Sequence, residues 1–347
     1  MSIRHAIIRV VEGYDLTDRE AQQAMREIVQ GDATPAQIAA LTVGLRMKGE
    51  TAEEIAGLVK AMREVATRVD IGAEVVDLVG TGGDASRTFN ISTISAFVVA
   101  AAGGKVAKHG NRGVTSACGS ADILEALGVA IDLGPEQVAR SVRQAGFGFM
   151  FAPLYHPATR HAVGPRREIG VRTVFNVLGP LTNPAGATRQ LTGVAVPELV
   201  ETIARVLALL GSRRALVVHG GDGLDEISIS APTSGFLVED GLVEPMDFAP
   251  ESFGLERASL EAVRGGTVEE NLRLGRSVLA GERSAARDVV LLNAGAGLFV
   301  AGLVEEVRAG VELAGELLDS GRVRERVERI REVSSALRHE QSGAAAS

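Results

Sequence analysis

A chain of 347 residues with 46% hydrophobic and 23% charged residues has an ordinary globular composition and is long enough for two unequal domains, because single cores stop growing near this size. Its net charge of −8 argues against a protein whose main task is to hold nucleic acid or an anionic membrane surface, since such affinity comes from clustered Lys and Arg. One cysteine, Cys118, excludes an intrachain disulfide and fits a reducing compartment.

The opening MSIRHAIIRVVEGYDL meets Glu12 and Asp15 before a secretory-type apolar core is complete, and nowhere do about 18 uncharged apolar residues run together. The expectation is an untargeted, cytoplasmic protein. Residues 1–70 read as a small all-helical domain. Thr17 with Glu20, Thr34 with Gln37 and Thr51 with Glu54 each fit a capping box, and Gly31 and Gly49 stand where helices stop.

From Glu74 the pattern changes to short β-branched runs, Gly-rich loops and helices, which is how parallel α/β sheets are written. Strands are expected at 75–79, 105–107 and 215–218, and helices at 93–102, 121–127, 135–145 and 197–210. The stretch 235–248, with Gly241 between two alternating runs, predicts a hairpin at the sheet's margin. Thr267 with Glu270 opens a helix-rich C-terminal third. The α/β domain is expected over 71–334, with a frayed tail at 335–347 ending in SGAAAS. The fold class is therefore α/β, a small helical domain plus a larger domain with a mostly parallel central sheet flanked by helices.

Four segments carry chemistry. Residues 75–84, VVDLVGTGGD, are followed by Arg87, Thr88 and Asn90-Ile91-Ser92-Thr93 at a helix start. Glycines after a strand let backbone N–H groups approach an anion, and a helix start adds donors. Residues 108–122, KHGNRGVTSACGSAD, crowd Lys108, His109, Asn111, Arg112, Thr115, Ser116 and Ser120 into one loop, a set suited to the oxygens of a diphosphate. Residues 218–228, VHGGDGLDEIS, mass Asp222, Asp225 and Glu226, which would repel such a ligand unless a hard cation lay between. Because neighbours on a regular strand face opposite ways, Asp225 and Glu226 can share a site only in irregular backbone or by serving two ions. Residues 156–185 bring Arg160, Arg166, Arg167 and Arg172, any of which could clamp a carboxylate, and end in the turn-like Gly179-Pro180-Leu181-Thr182-Asn183-Pro184. Neither the dinucleotide fingerprint nor the P-loop pattern is present.

In this order, GTGGD with NIST, KHGNR with CGSAD, HPATRH with RREIG, NVLGPLTNP and DGLDEIS resemble the anthranilate phosphoribosyltransferase family, of the nucleoside phosphorylase/phosphoribosyltransferase type, across nearly the whole chain. The resemblance implies phosphoribosyl diphosphate (PRPP) held in a cleft between the domains, magnesium, two ions of it, and a segment near 165–185 packed on the helical domain. It implies a homodimer through the helical domain, with no nucleic acid or membrane partner. By matching position, the PRPP contacts would be Gly80, Gly83, Asp84, Thr88, Asn90, Ile91, Ser92, Thr93, Lys108, His109, Gly110, Asn111, Arg112, Gly113, Val114, Thr115, Ser116 and Ser120. Gly80, Asn111 and Arg166 would hold anthranilate, with His109 near the aromatic substrate. Ser92, Asp225 and Glu226 would bind metal, and catalysis would be electrostatic, through Lys108, Asp225 and Glu226. Family members often carry Ala, Ser and Lys where this chain has Gly113, Thr115 and Ala117, so one cation of the PRPP loop is missing. Val163-Gly164-Pro165 also replaces the more usual Ala-Pro-Val. Both departures bear on pocket shape and affinity more than on reaction type. The competing readings are a pyrimidine nucleoside phosphorylase, which needs no metal-bound diphosphate, and a non-catalytic relative that binds nucleic acid.

Overall fold

The computed structural model describes residues 2–84, 86–113 and 117–346. Four helices come first: α1 (Ile3–Val11), α2 (Asp18–Gln30), α3 (Pro35–Lys48) and α4 (Ala52–Val65). At Thr17, Thr34 and Thr51 the hydroxyl accepts the N–H three residues on, and that residue's side chain accepts the cap's own N–H, as the spacing predicts. Glu54 goes further. Fully buried, it also accepts the Leu16 N–H at 2.8 Å and Lys48 Nζ at 3.0 Å, so one carboxylate ties the α1–α2 connection to the end of α3 and the start of α4.

The remainder alternates strands and helices: β1 (Val76–Gly80), α5 (Ile91–Ala101), β2 (Val106–Gly110), α6 (Ser120–Ala126), α7 (Pro135–Ala145), β3 (Phe147–Phe151), α8 (Ala152–Tyr155), α9 (Arg160–Ile169), α10 (Phe175–Leu181), β4 (Arg189–Gly193), α11 (Val200–Leu209), β5 (Arg214–Gly220), β6 (Thr233–Glu239) and β7 (Leu242–Pro245). Helices α12 (Val268–Leu279), α13 (Ala285–Ala301), α14 (Val307–Asp319) and α15 (Arg322–Ala346) close the chain. The sheet order is β3-β2-β1-β4-β5-β6-β7, parallel as far as β5 and antiparallel beyond it. From β1 the chain builds outward to β2 and β3, then crosses to β4 on the other side. The seam between β1 and β4 is therefore the topological switch point, where a crevice opens beyond the carboxyl ends of the strands.

Side chains on β5 alternate between two cores. Leu216 and Val218 join α5 and α13 to α15 on one face of the sheet; Ala215 and Val217 join α11, α10 and the N-terminal helices on the other. Helix α9 packs on α2 and α3, and α10 on α4. The helical unit and one face of the sheet thus share a core.

Three sequence expectations are corrected. Residues 335–346 are helical where a frayed tail was expected: α15 continues to Ala346, Leu337 is 2% exposed, and the Gln341 amide bonds Gly134 N at 2.7 Å and Asp132 O at 3.2 Å. Small residues at the end of the chain suggested disorder, but tertiary docking holds the helix. Strands β3 and β4 were not expected. FGFMF is buried almost throughout and shows no alternation, while β4 begins with Arg189 and Gln190, polar residues whose side chains reach Glu74 and the Pro180 carbonyl. Gly179, Pro180 and Leu181, expected in a turn, form the last residues of α10. The hairpin matches its signal, with Asp240 at φ 49° and Gly241 at φ 86° in the left-handed region that a two-residue loop needs.

Candidate functional site

The site is built where β1 and β4 end side by side at Gly80 and Gly193. The loop 221–228 that follows β5 lies directly across these two glycines. A Cβ on Gly193 would run into the Asp225 carbonyl, and one on Gly80 into the Asp225 carboxylate. Behind the loop, the fully buried Asn293 of α13 accepts the Ile227 N–H at 3.0 Å and donates to the Ile227 carbonyl at 2.9 Å. Irregular backbone pinned in this way lets the consecutive Asp225 and Glu226 both face the cleft floor.

Each acid takes a backbone donor that belongs to the Gly-rich loop or to the helix after it. Asp225 accepts the Gly82 N–H at 2.6 Å, and Glu226 accepts the Ser92 N–H at 3.1 Å at the start of α5. Lys108, 2% exposed at the end of β2, donates to the Leu78 carbonyl and reaches Ser92 Oγ at 3.2 Å. Burial pushes Asp225 well above the usual carboxylate range, with Asp84 and Glu226 adding repulsion. Burial raises Glu226 to about 7 against the pull of Lys108. The same burial lowers Lys108, opposed by Asp77 and Glu226. Among the described residues, Asp84, Asp225 and Glu226 thus outnumber Lys108, the buried cation beside them.

Such a donor set fits a hard divalent cation that would relieve the carboxylate repulsion. Among the described residues, no three His, Cys, Asp or Glu side chains converge to hold a metal by themselves. Two carboxylates and the Ser92 hydroxyl would leave coordination to be completed by oxygens of a ligand, which is how magnesium is usually held with substrate phosphates.

The second loop is tied to the first. Asn90 Nδ2 donates to the Cys118 carbonyl at 3.3 Å, and Asp122 of α6 accepts the N–H groups of Gly113 and Gly119, each at 2.9 Å. The Asn111 carbonyl accepts Ser120 Oγ at 3.3 Å, and a Cβ on Gly110 would strike that same hydroxyl. Arg112 is turned away towards Asp122 and Glu125, at 2.8 and 2.9 Å, with its guanidinium 5.8 Å from the Phe151 ring centre. Thr88 bridges to Arg264, and Ile91 and Thr93 are buried at the start of α5. Val114, Thr115 and Ser116 lie outside the described residues.

In the segment 156–185 Arg166 is exposed and lies over the Phe175 ring at 5.3 Å, while Arg172 donates to the Gly83 carbonyl at 2.6 Å and the Gly82 carbonyl at 3.0 Å. His109 is buried, with Nδ1 3.2 Å from the Gly179 carbonyl and its ring 5.0 Å from that of His156. Among the described residues the Nε2 atoms of both rings lack a hydrogen-bond partner.

Sequence reasoning missed Asp77, Asn183, Gly193 and Asn293. Asp77 is fully buried, and Asn183 Nδ2 bonds both its carboxylate at 2.7 Å and the Ala107 carbonyl at 2.8 Å, joining the chain beyond α10 to the floor of β1 and β2. The available signal was a lone polar residue inside an apolar run, at Asp77 in VVDLV and at Asn293 in VVLLNAGAG. Buried polar groups of this kind are retained where they hold something in place.

The models of two domain families match this chain, the glycosyl transferase family helical bundle domain over residues 4–66 and the glycosyl transferase family a/b domain over residues 72–324. An anthranilate phosphoribosyltransferase from Thermomicrobium roseum is 58% identical over 334 residues, 95% of this chain and 96% of the relative. The crystal structure of anthranilate phosphoribosyltransferase from Thermus thermophilus superposes with a TM-score of 0.89 at 44% identity, covering 95% of this chain and 99% of that one. The enzyme of the same name from Saccharomyces cerevisiae, solved in complex with PRPP and Mg, gives a TM-score of 0.87 at 27% identity, covering 96% and 98%; in complex with 4-fluoroanthranilate it gives 0.86 at 26%, again covering 96% and 98%. The order of motifs, the fold and these likenesses agree, and the chain belongs to the anthranilate phosphoribosyltransferase family of glycosyltransferases.

Proposed function

We propose that this protein transfers the 5-phosphoribosyl group of PRPP to the amine of anthranilate, releasing N-(5-phosphoribosyl)anthranilate and diphosphate, in tryptophan biosynthesis. The observation that carries the reading is the meeting of the Gly80–Asp84 loop, Lys108 and the Asp225-Glu226 pair at the β1/β4 switch point. Magnesium, when bound, neutralises charge on the departing diphosphate. Asp225 and Glu226 hold it with Ser92, and two ions are favoured because the acids are directed to separate points, Gly82 and Ser92. The bond from ribose C1 to the diphosphate oxygen breaks as the aromatic amine attacks from the opposite face, and the amine sheds a proton. An aromatic amine is nucleophilic when neutral, so the protein's contribution is positioning and electrostatics.

The diphosphate and phosphate lie against Gly80, Gly83, Asp84, Asn90, Ser92 and Lys108, with Asn111 and Ser120 beside them. Arg166 takes the anthranilate carboxylate, and Gly80 and Asn111 flank the ring. The neutral His109–His156 pair forms an uncharged wall suited to an aromatic face. We further propose a homodimer through the helical unit, supported by Ile8, Val11, Tyr14 and Met47, apolar side chains between 49% and 83% exposed on or beside α1 and α3. A cytoplasmic location is supported by the single cysteine and by the absence, among the described residues, of any helix long and apolar enough to cross a membrane.

Mixing protein, PRPP, magnesium and anthranilate should consume anthranilate fluorescence and yield the phosphoribosyl adduct by mass. Asp225→Asn with Glu226→Gln should lower kcat at least about 100-fold, in line with loss of preorganised charge stabilisation; unchanged turnover at saturating magnesium would refute the metal assignment. Arg166→Ala should raise the KM for anthranilate about tenfold or more, as loss of a charge-assisted clamp implies. An effect confined to the KM for PRPP would remove Arg166 from that role. Sedimentation of Val11→Asp/Met47→Glu should show monomers where the parent is dimeric, and a monomeric parent disproves the dimer.

Burial, with His156 adjacent, holds His109 down to about 3, and burial holds His156 down to about 4, against 6.5 for a free imidazole. The unfolded chain therefore binds more protons below that value. Each ring contributes stability that is full above the unfolded pKa and is lost as pH falls towards the folded one, by up to about 1.4 kcal/mol per pH unit. Urea unfolding over the acid range should show His156→Gln with a slope against pH shallower by about one proton. An identical slope would mean that the ring is not held neutral.

A further inference from the structure

Arg172 has no part in the chemistry above, yet it makes the contact between the arginine-bearing segment and the Gly-rich loop. Its guanidinium donates to two successive carbonyls, Gly82 at 3.0 Å and Gly83 at 2.6 Å. A Cβ on Gly83 would meet Arg172 Nη1, so a larger residue there would displace the guanidinium. Both glycines lie in the left-handed region, at φ 68° and 73°.

In a planar trans peptide the N–H points opposite to the C=O. Holding the Gly82 carbonyl therefore turns the Gly83 N–H away from Arg172, and holding the Gly83 carbonyl does the same for the Asp84 N–H. Among the described residues neither of these N–H groups has a partner, whereas the neighbouring Gly82 N–H is taken by Asp225. Two adjacent uncommitted donors aimed to one side form the kind of concavity that takes an anionic oxygen.

Arg172 itself is set from a firm base. Thr173 N donates to Asn176 Oδ1 at 3.0 Å, and Val174 and Phe175 are buried in the core shared with the helical unit. Phe175 is also the ring under Arg166, at 5.3 Å. The proposed carboxylate clamp and the support of the phosphate loop are thus mounted on one rigid turn.

We propose that Arg172 is a positioning residue that orients the Gly83 and Asp84 N–H groups towards the diphosphate of PRPP, a role that rests on the function proposed above. Calorimetric titration with PRPP and magnesium, with steady-state kinetics, tests it on Arg172→Ala and Arg172→Lys. The alanine variant should weaken PRPP binding and raise its KM about tenfold, as two charge-assisted bonds imply, with kcat and the affinity for anthranilate changed less than about twofold. Lysine, able to hold one carbonyl at a time, should recover part of that loss; it also serves as the test if the alanine variant fails to fold. PRPP affinity like the parent's in either variant, or a loss confined to anthranilate, overturns the role of Arg172. Failure of the parent protein to bind PRPP overturns the proposed function instead.

Discussion

The whole arrangement depends on backbone packed against backbone at the end of the sheet. Because Gly80 and Gly193 carry no Cβ, the Asp225 segment can lie on the carboxyl ends of β1 and β4, and Asn293 fastens it from the helix behind. A side chain at either glycine would lift the acids off the cleft floor. Placing two carboxylates there is costly, since burial favours their neutral forms. A bound cation would offset that cost, and perturbed carboxylates in a crevice mark places of this kind.

The groups that line the cleft are engaged with one another. Asp225 occupies the Gly82 N–H and Glu226 the Ser92 N–H, while Arg112 is paired with Asp122 and Glu125. On the proposed function, the acids hold donors that a phosphate would otherwise receive, and a bound cation would turn them from competitors of the diphosphate into its partners. Lys108 acts from beneath, linking the β1 carbonyl of Leu78 to the first turn of α5.

Much of this was legible in the sequence because it is local. Capping boxes are rules about four residues, so Thr17, Thr34, Thr51 and Thr267 were readable without tertiary knowledge. The Gly-rich loops after strands announced themselves in the same way. Contacts between distant segments were not legible: the Asp77–Asn183 bond spans 106 residues, Asn293 reaches Ile227 across 66, and Arg172 reaches Gly83 across 89. Buried strands without alternation, such as β3, hide for a related reason, since both faces are covered and periodicity carries no signal. At the C-terminus, composition misled because the docking partners of α15 lie two hundred residues upstream, as with Gln341 and Gly134, 207 residues apart.

On the proposed function, the acids of this cleft form half of a metal site, which a diphosphate ligand completes. Manganese, whose free aqueous ion is seen by electron paramagnetic resonance, reports on this directly. Titrated into the protein alone it should bind weakly, and addition of PRPP should tighten its binding at least about tenfold beyond its affinity for PRPP in solution. Equal affinity with and without PRPP, or ternary binding no tighter than manganese on PRPP alone, would contradict the account.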